Sequence, residues 1–141
     1  PPCRLVNDTC VLLSPEVLAS VVGPGWTRQG SGPMRPLPGA AVINHCQYDG
    51  PGNDDDAILS VRPGGRAQFD RDVQNYRGGL KRVSGVGDAA YEFVFPGSPS
   101  PGVEVWVIKG GTYFDMRLDF ANPNFARWGV ALARKVADRI K

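Results

Sequence analysis

Histidine occurs once in this chain of 141 residues, at His45, and cysteine three times, at Cys3, Cys10 and Cys46. Those two scarcities exclude much. A structural zinc site normally takes four Cys or His ligands. Cys3, Cys10, His45 and Cys46 would make four, but neighbours on a strand point to opposite faces, and no Cys-x-x-Cys pair exists. A nucleophile with a histidine base would have to use His45, inside a predicted strand, and no Gly-x-Ser-x-Gly elbow surrounds any serine. Net charge is also small. Sixteen basic and fourteen acidic side chains leave +2, without the concentrated basic face that nucleic acid needs or a strong attraction to an anionic membrane. No apolar run approaches the ~18 residues of a membrane span. The opening "PPCRLV" has neither a basic n-region nor an apolar h-region, so an exported protein would be represented here in mature or trimmed form.

What is plentiful is turn chemistry. Eighteen glycines and thirteen prolines punctuate a chain that is 42% hydrophobic, enough for one domain with a real core. In "CVLLSPEVLASVVG", Ser14 caps a helix, Pro15 takes its first position and Glu16 faces the positive end of its dipole. Val17, Leu18, Val21 and Val22 form its apolar face, and Gly23 stops it. Residues 24–40 hold four prolines and four glycines and read as a mobile loop. Residues 41–48 and 57–62 read as a hairpin around the acidic tip "DGPGNDDD". Residues 66–77 carry Phe69, Val73 and Tyr76 at helical spacing, and Gly78-Gly79 end that helix. A strand follows at 89–95, and "VEVWVIK" and "TYFDMRLDF" alternate around Gly110-Gly111 as a second hairpin. Phe125, Trp128, Leu132, Val136 and Ile140 share one face of a last helix.

The expected fold is therefore α+β: a mainly antiparallel sheet of about five strands, helices packed on one face, in the order α-β-β-α-β-β-β-α. Residues 1–9 form a flexible N-terminal segment and residues 10–141 a single domain. One disulfide is expected. Cys10 with Cys46 is favoured, because it would pin the first helix to the sheet across the 24–40 loop; Cys3 with Cys46 and Cys3 with Cys10 remain open. One cysteine is left over in any single-bridge monomer, and Cys3 is the candidate.

Motifs for chemistry are sparse. "GVGD" lacks the Gly-Lys-Ser/Thr of a P-loop and the third glycine of a dinucleotide fingerprint. It reads as a turn, with Asp88 on the local backbone, and no cofactor is expected. The acidic tip lacks the closing Glu of an EF-hand and reads as a solvated turn. Carboxylate pairs such as Glu92 with Glu104, or Asp115 with Asp119, have the residue types for glycoside hydrolysis, though strand alternation produces solvent-facing charges equally well. Trp128 belongs to the core face of the last helix. Trp26, Trp106 and Tyr113 are the candidate ligand contacts, around a cleft on the uncovered sheet face bordered by the 24–40 loop.

Four stretches together resemble an actinobacterial family of secreted and lipoprotein domains without an established activity. They are the "CVLLSPEVLASVVG" opening, "CQY" at Cys46 to Tyr48, "GVGDAAY" at Gly85 to Tyr91, and the closing "GVALARKVADRI". The resemblance runs from Cys10 to Lys141. It departs from the family in the extra Cys3 and in lacking a lipobox cysteine. It implies an extracytoplasmic address, a Cys10–Cys46 bridge and an upstream lipid anchor. A looser similarity is to the extracellular sensor domains of mycobacterial receptor kinases. The leading expectation is a non-enzymatic cell-envelope domain binding a small ligand or an envelope protein. An envelope hydrolase with paired carboxylates and an inert accessory domain are the alternatives.

Overall fold

The computed structural model describes residues 9–35, 37–76, 78–97 and 100–140. Cys3, and with it the reading of residues 1–8, lies outside the described residues. The chain enters through a four-residue turn of helix, α1 (Thr9–Leu12), which carries Cys10. Helix α2 (Pro15–Val22) then starts as its sequence dictates. Ser14 has extended backbone angles and its Oγ accepts the Val17 N–H at 3.2 Å; Gly23, at φ +83°, ends the helix and donates its N–H to the Ala19 carbonyl.

Two antiparallel meanders follow. The first is β1 (Thr27–Met34), β2 (Ile43–Asp49) and β3 (Asp56–Arg62). Helix α3 (Gly65–Asn75) then carries the chain across to the far edge of the sheet. The second meander, β4 (Lys81–Val83), β5 (Ala89–Phe95), β6 (Gly102–Lys109) and β7 (Thr112–Asp119), returns until β7 lies against β3. Helix α4 (Phe125–Asp138) closes the chain. The sheet has seven strands in the order β1-β2-β3-β7-β6-β5-β4, every neighbouring pair antiparallel.

Three expectations are corrected. Five strands become seven because β1 and β4 lack any hydrophobic alternation. β1, "TRQGSGPM", occupies the stretch expected to be a mobile loop. It is an edge strand, exposed along most of its length, so it tolerates Pro33 and its glycines while pairing through its backbone with β2. β4 is only three residues long and forms the opposite edge. The helices also do not share one face. Cys46, Tyr48, Ala57, Leu59, Val61, Ala90, Val103, Val105, Val107, Phe114, Met116 and Leu118 form the main core with residues of α1, α2 and α4. The alternate strand positions, Ile108 and Tyr113, pack instead on Phe69 of α3, with Val73, Ala89, Tyr91 and Trp106 around them. A strand's side chains alternate between faces, so α3 covers one end of the face opposite α4.

The Cys10–Cys46 disulfide forms, with Cα atoms 5.1 Å apart. Two residues on, Tyr48 emerges on the same face and its hydroxyl donates to the Leu13 carbonyl at 2.8 Å. "CQY" thus fixes the α1–α2 entrance twice. Two further turns are tied in. Asp88 accepts the Gly110 N–H at 2.7 Å, bonding the distant β6–β7 turn rather than its own backbone. Asp55 is buried in the acidic tip rather than solvated, where it accepts the Gly52 N–H at 2.8 Å and the Ala121 N–H at 3.4 Å.

Candidate functional site

The face opposite α4 is only partly covered among the described residues. α3 occupies one end of it; the remainder is a trough running across the strands. Strand register puts its floor in rows. His45 lies opposite Ser60, Ser60 opposite Asp115, Asp115 opposite Trp106, and Trp106 opposite Tyr91. The next row runs Gln47, Ile58, Arg117, Glu104, Phe93. Two hollows follow these rows. One, of about 310 Å³, is lined by Tyr76, Phe93, Phe95, Glu104, Trp106 and Arg117. The other, of about 210 Å³, lies over β2, β3 and β7. They share Glu104 and Arg117 and so form one trough.

Its charged groups hold one another. The Arg62 guanidinium donates twice to Asp115 Oδ2, at 2.5 and 3.1 Å. Asp115 is 4% exposed. Burial pushes its pKa up to about 7, with a hydrogen bond and charge from Glu104 acting in the same direction and Arg62 opposing them. Two carboxyl groups can hydrogen-bond only when one carries a proton. When Asp115 holds a proton it can donate to Glu104 while accepting from Arg62. Glu104 Oε1 also accepts the Trp106 indole N–H at 2.9 Å. Arg117 reaches Asp119 at 3.2 Å, and its guanidinium lies 4.5 Å from the centre of the Phe95 ring. His45 Nδ1 lies 2.9 Å from the Gly32 carbonyl. A carbonyl only accepts, so Nδ1 carries a proton.

The aromatic end is built by two edge-to-face contacts of Tyr76 and a tilted one between Phe93 and Phe95. Tyr76 meets Trp106 with ring centres 5.3 Å apart and Phe93 at 5.4 Å; Phe93 meets Phe95 at 5.6 Å. All four rings are only half-buried.

Of the three residues named as contacts from sequence, the structure brings two to this face. Trp106 lines the trough. Tyr113 is 1% exposed beneath α3, and its hydroxyl donates to Asp72 Oδ2 at 2.9 Å. It supports the floor and offers a ligand little surface. Trp26 is corrected. It packs on the α4 side, edge-on to Phe120 at 5.3 Å, with Phe120 against Trp128. Its position just before β1 turns it away from the trough. The carboxylate pairs also change. Glu92 belongs to the face of Ala90, opposite Glu104. Asp119 follows Asp115 at four residues, about 13 Å along the strand. The pair that meets is Glu104 with Asp115, and sequence reading missed it along with Arg62 and Arg117.

The chain matches no family model, no curated protein and no solved structure. The trough's own chemistry therefore carries the functional argument. Among the described residues no group of three or more His, Cys, Asp or Glu side chains is arranged to hold a metal ion, and no helix is long and apolar enough to cross a membrane.

Proposed function

We propose that this chain is an extracytoplasmic cell-envelope domain that binds a ligand in the trough and is not an enzyme. Its kinship, on this reading, is with the actinobacterial secreted and lipoprotein domains it resembles, and a lipid anchor would be its link to the membrane. The observation that carries the binding role is the join between half-buried aromatic rings and internally paired charges across Glu104 and Arg117. Ligand sites pair apolar and aromatic lining with a few placed polar groups in this way. An inert accessory domain gives no reason for such a surface to stay open. The disulfide is compatible with an oxidising, extracytoplasmic compartment.

The hydrolase reading is less well supported. Glycosidases keep their carboxyl groups roughly 5–9.5 Å apart so that a sugar or water fits between them. Glu104 and Asp115 instead lie close enough to perturb each other directly, and Asp115 is held by Arg62.

A titration of isotope-labelled protein tests the binding role. The probes are neutral and acidic oligosaccharides, phospholipid vesicles and short peptides. At least one is expected to move the amide resonances around Glu104–Trp106 and Asp115–Arg117. Trp106→Ala should abolish that response while leaving the far-UV circular dichroism unchanged. Probes that move only α4-side resonances, or none at all, would refute a trough site.

A further inference from the structure

Charge balance and shape in the trough narrow the ligand class; the step rests on the binding role argued above. Each charged group has its partner within the fold: Arg62 with Asp115, Arg117 with Asp119, and Glu104 with Asp115 and Trp106. An anionic ligand at Arg62 would have to displace a buried carboxyl, and a cation at Glu104 would have to displace a hydrogen-bonded one. Both exchanges sacrifice interactions that already satisfy buried groups. A neutral ligand rich in hydroxyls displaces nothing. Paired charges keep spare donor and acceptor capacity, because Arg has five N–H groups and a carboxylate about four lone-pair sites. Guanidinium N–H groups of Arg62 and Arg117, and oxygens of Glu104 and Asp115, therefore stand together along the floor.

The rings give the second half of the argument. Phe93, Phe95, Trp106 and Tyr76 present half-buried aromatic surface at one end. A pyranose ring has an apolar C–H face and a hydroxyl rim, so it stacks on such surface while its rim reaches the charged rows. The trough crosses from β2 to β5, five strands of about 4.8 Å spacing, or about 19 Å. That length takes a short run of sugar rings rather than one. We infer that the trough binds an uncharged oligosaccharide, one ring stacked at Trp106 and the next units lying over Glu104, Arg117 and Asp115 toward His45.

The test is a titration with cellotetraose, chitotetraose and maltotetraose, with tetragalacturonate as the charged control, followed at the Trp106 indole N–H resonance. At least one neutral tetrasaccharide should shift that resonance and bind at least about tenfold more tightly than tetragalacturonate. Trp106→Ala, followed at the backbone amides of Glu104 and Arg117 instead, should weaken binding by about tenfold or more. Glu104→Gln, which keeps an acceptor for the indole, should retain the fold and weaken binding less. If none of the three neutral sugars shifts the resonance at about 10 mM, the glycan assignment is wrong. A response to tetragalacturonate, a peptide or a vesicle in its place overturns the ligand class but leaves the trough as the binding site. Silence toward every probe overturns both.

Discussion

Replacing Asp115 by Asn should make the protein more stable at pH 8 and leave it nearly unchanged below about pH 4. In the folded state Asp115 accepts from Arg62, and its protonated form, favoured by burial, can donate to Glu104. An Asn amide reproduces both roles, with its oxygen toward Arg62 and its N–H₂ toward Glu104. The wild-type side chain must lose a proton that Asn never carries. Its folded pKa of about 7 lies above the ordinary aspartate value of 3.8. Between those values the folded chain binds more protons than the unfolded one, so stability falls as pH rises. The slope reaches about 1.4 kcal/mol per pH unit. The contribution is complete below about pH 4 and gone above about pH 7; its ceiling across that window is about 4 kcal/mol. Urea unfolding of both proteins at pH 4, 5, 6, 7 and 8 measures it. The difference, Asp115→Asn minus wild type, should grow steadily with pH and level off near pH 8. Parallel pH profiles, or a variant uniformly weaker by several kcal/mol, would refute the shared-proton arrangement. Asp115→Ala is the companion control: it strands the half-buried Arg62 and should be about 1–3 kcal/mol less stable than Asp115→Asn at every pH.

Two further outcomes are expected. Cys10→Ala with Cys46→Ala should cost about 3–4 kcal/mol, because the bridge closes a loop of sequence separation 36; denaturant midpoints with and without reductant should show the same loss for the wild type and none for the variant. Gly129→Ala should destabilise by about 1–3 kcal/mol, since a Cβ there would stand 2.3 Å from Val103 Cγ1 and force α4 off the sheet; a melting temperature equal to wild type would contradict that packing.

The parts of this fold that depend on local chemistry were readable along the chain. Ser14, Pro15 and Gly23 bracket α2, and the Gly110-Gly111 hairpin falls where the alternation turns over. β5 spans the residues its pattern marked. β1 was hidden because an edge strand needs only backbone pairing, and its glycines and Pro33 read as loop. The helical spacing of Phe69, Val73 and Tyr76 marks an apolar stripe but cannot say which face of a sheet it covers. The site was hidden for a related reason. Arg62 and Asp115 are 53 residues apart, and only the β3–β7 register brings them together. Trp106 could be picked out as an aromatic in an alternating strand; Trp26 looked equivalent until β1 gave it a direction.

The seam between β3 and β7 has a kinetic meaning. The first meander is complete by Arg62 and already carries its disulfide, while the second must be made in full before β7 can reach it. Their joining is the most non-local pairing in the sheet's centre, the kind of step that slows folding. Arg62 and Asp115 straddle that seam, and so do the rows of the trough. The trough therefore comes into being in the same event that welds the two halves of the chain, and a ligand lying across it would act as a clamp on that weld.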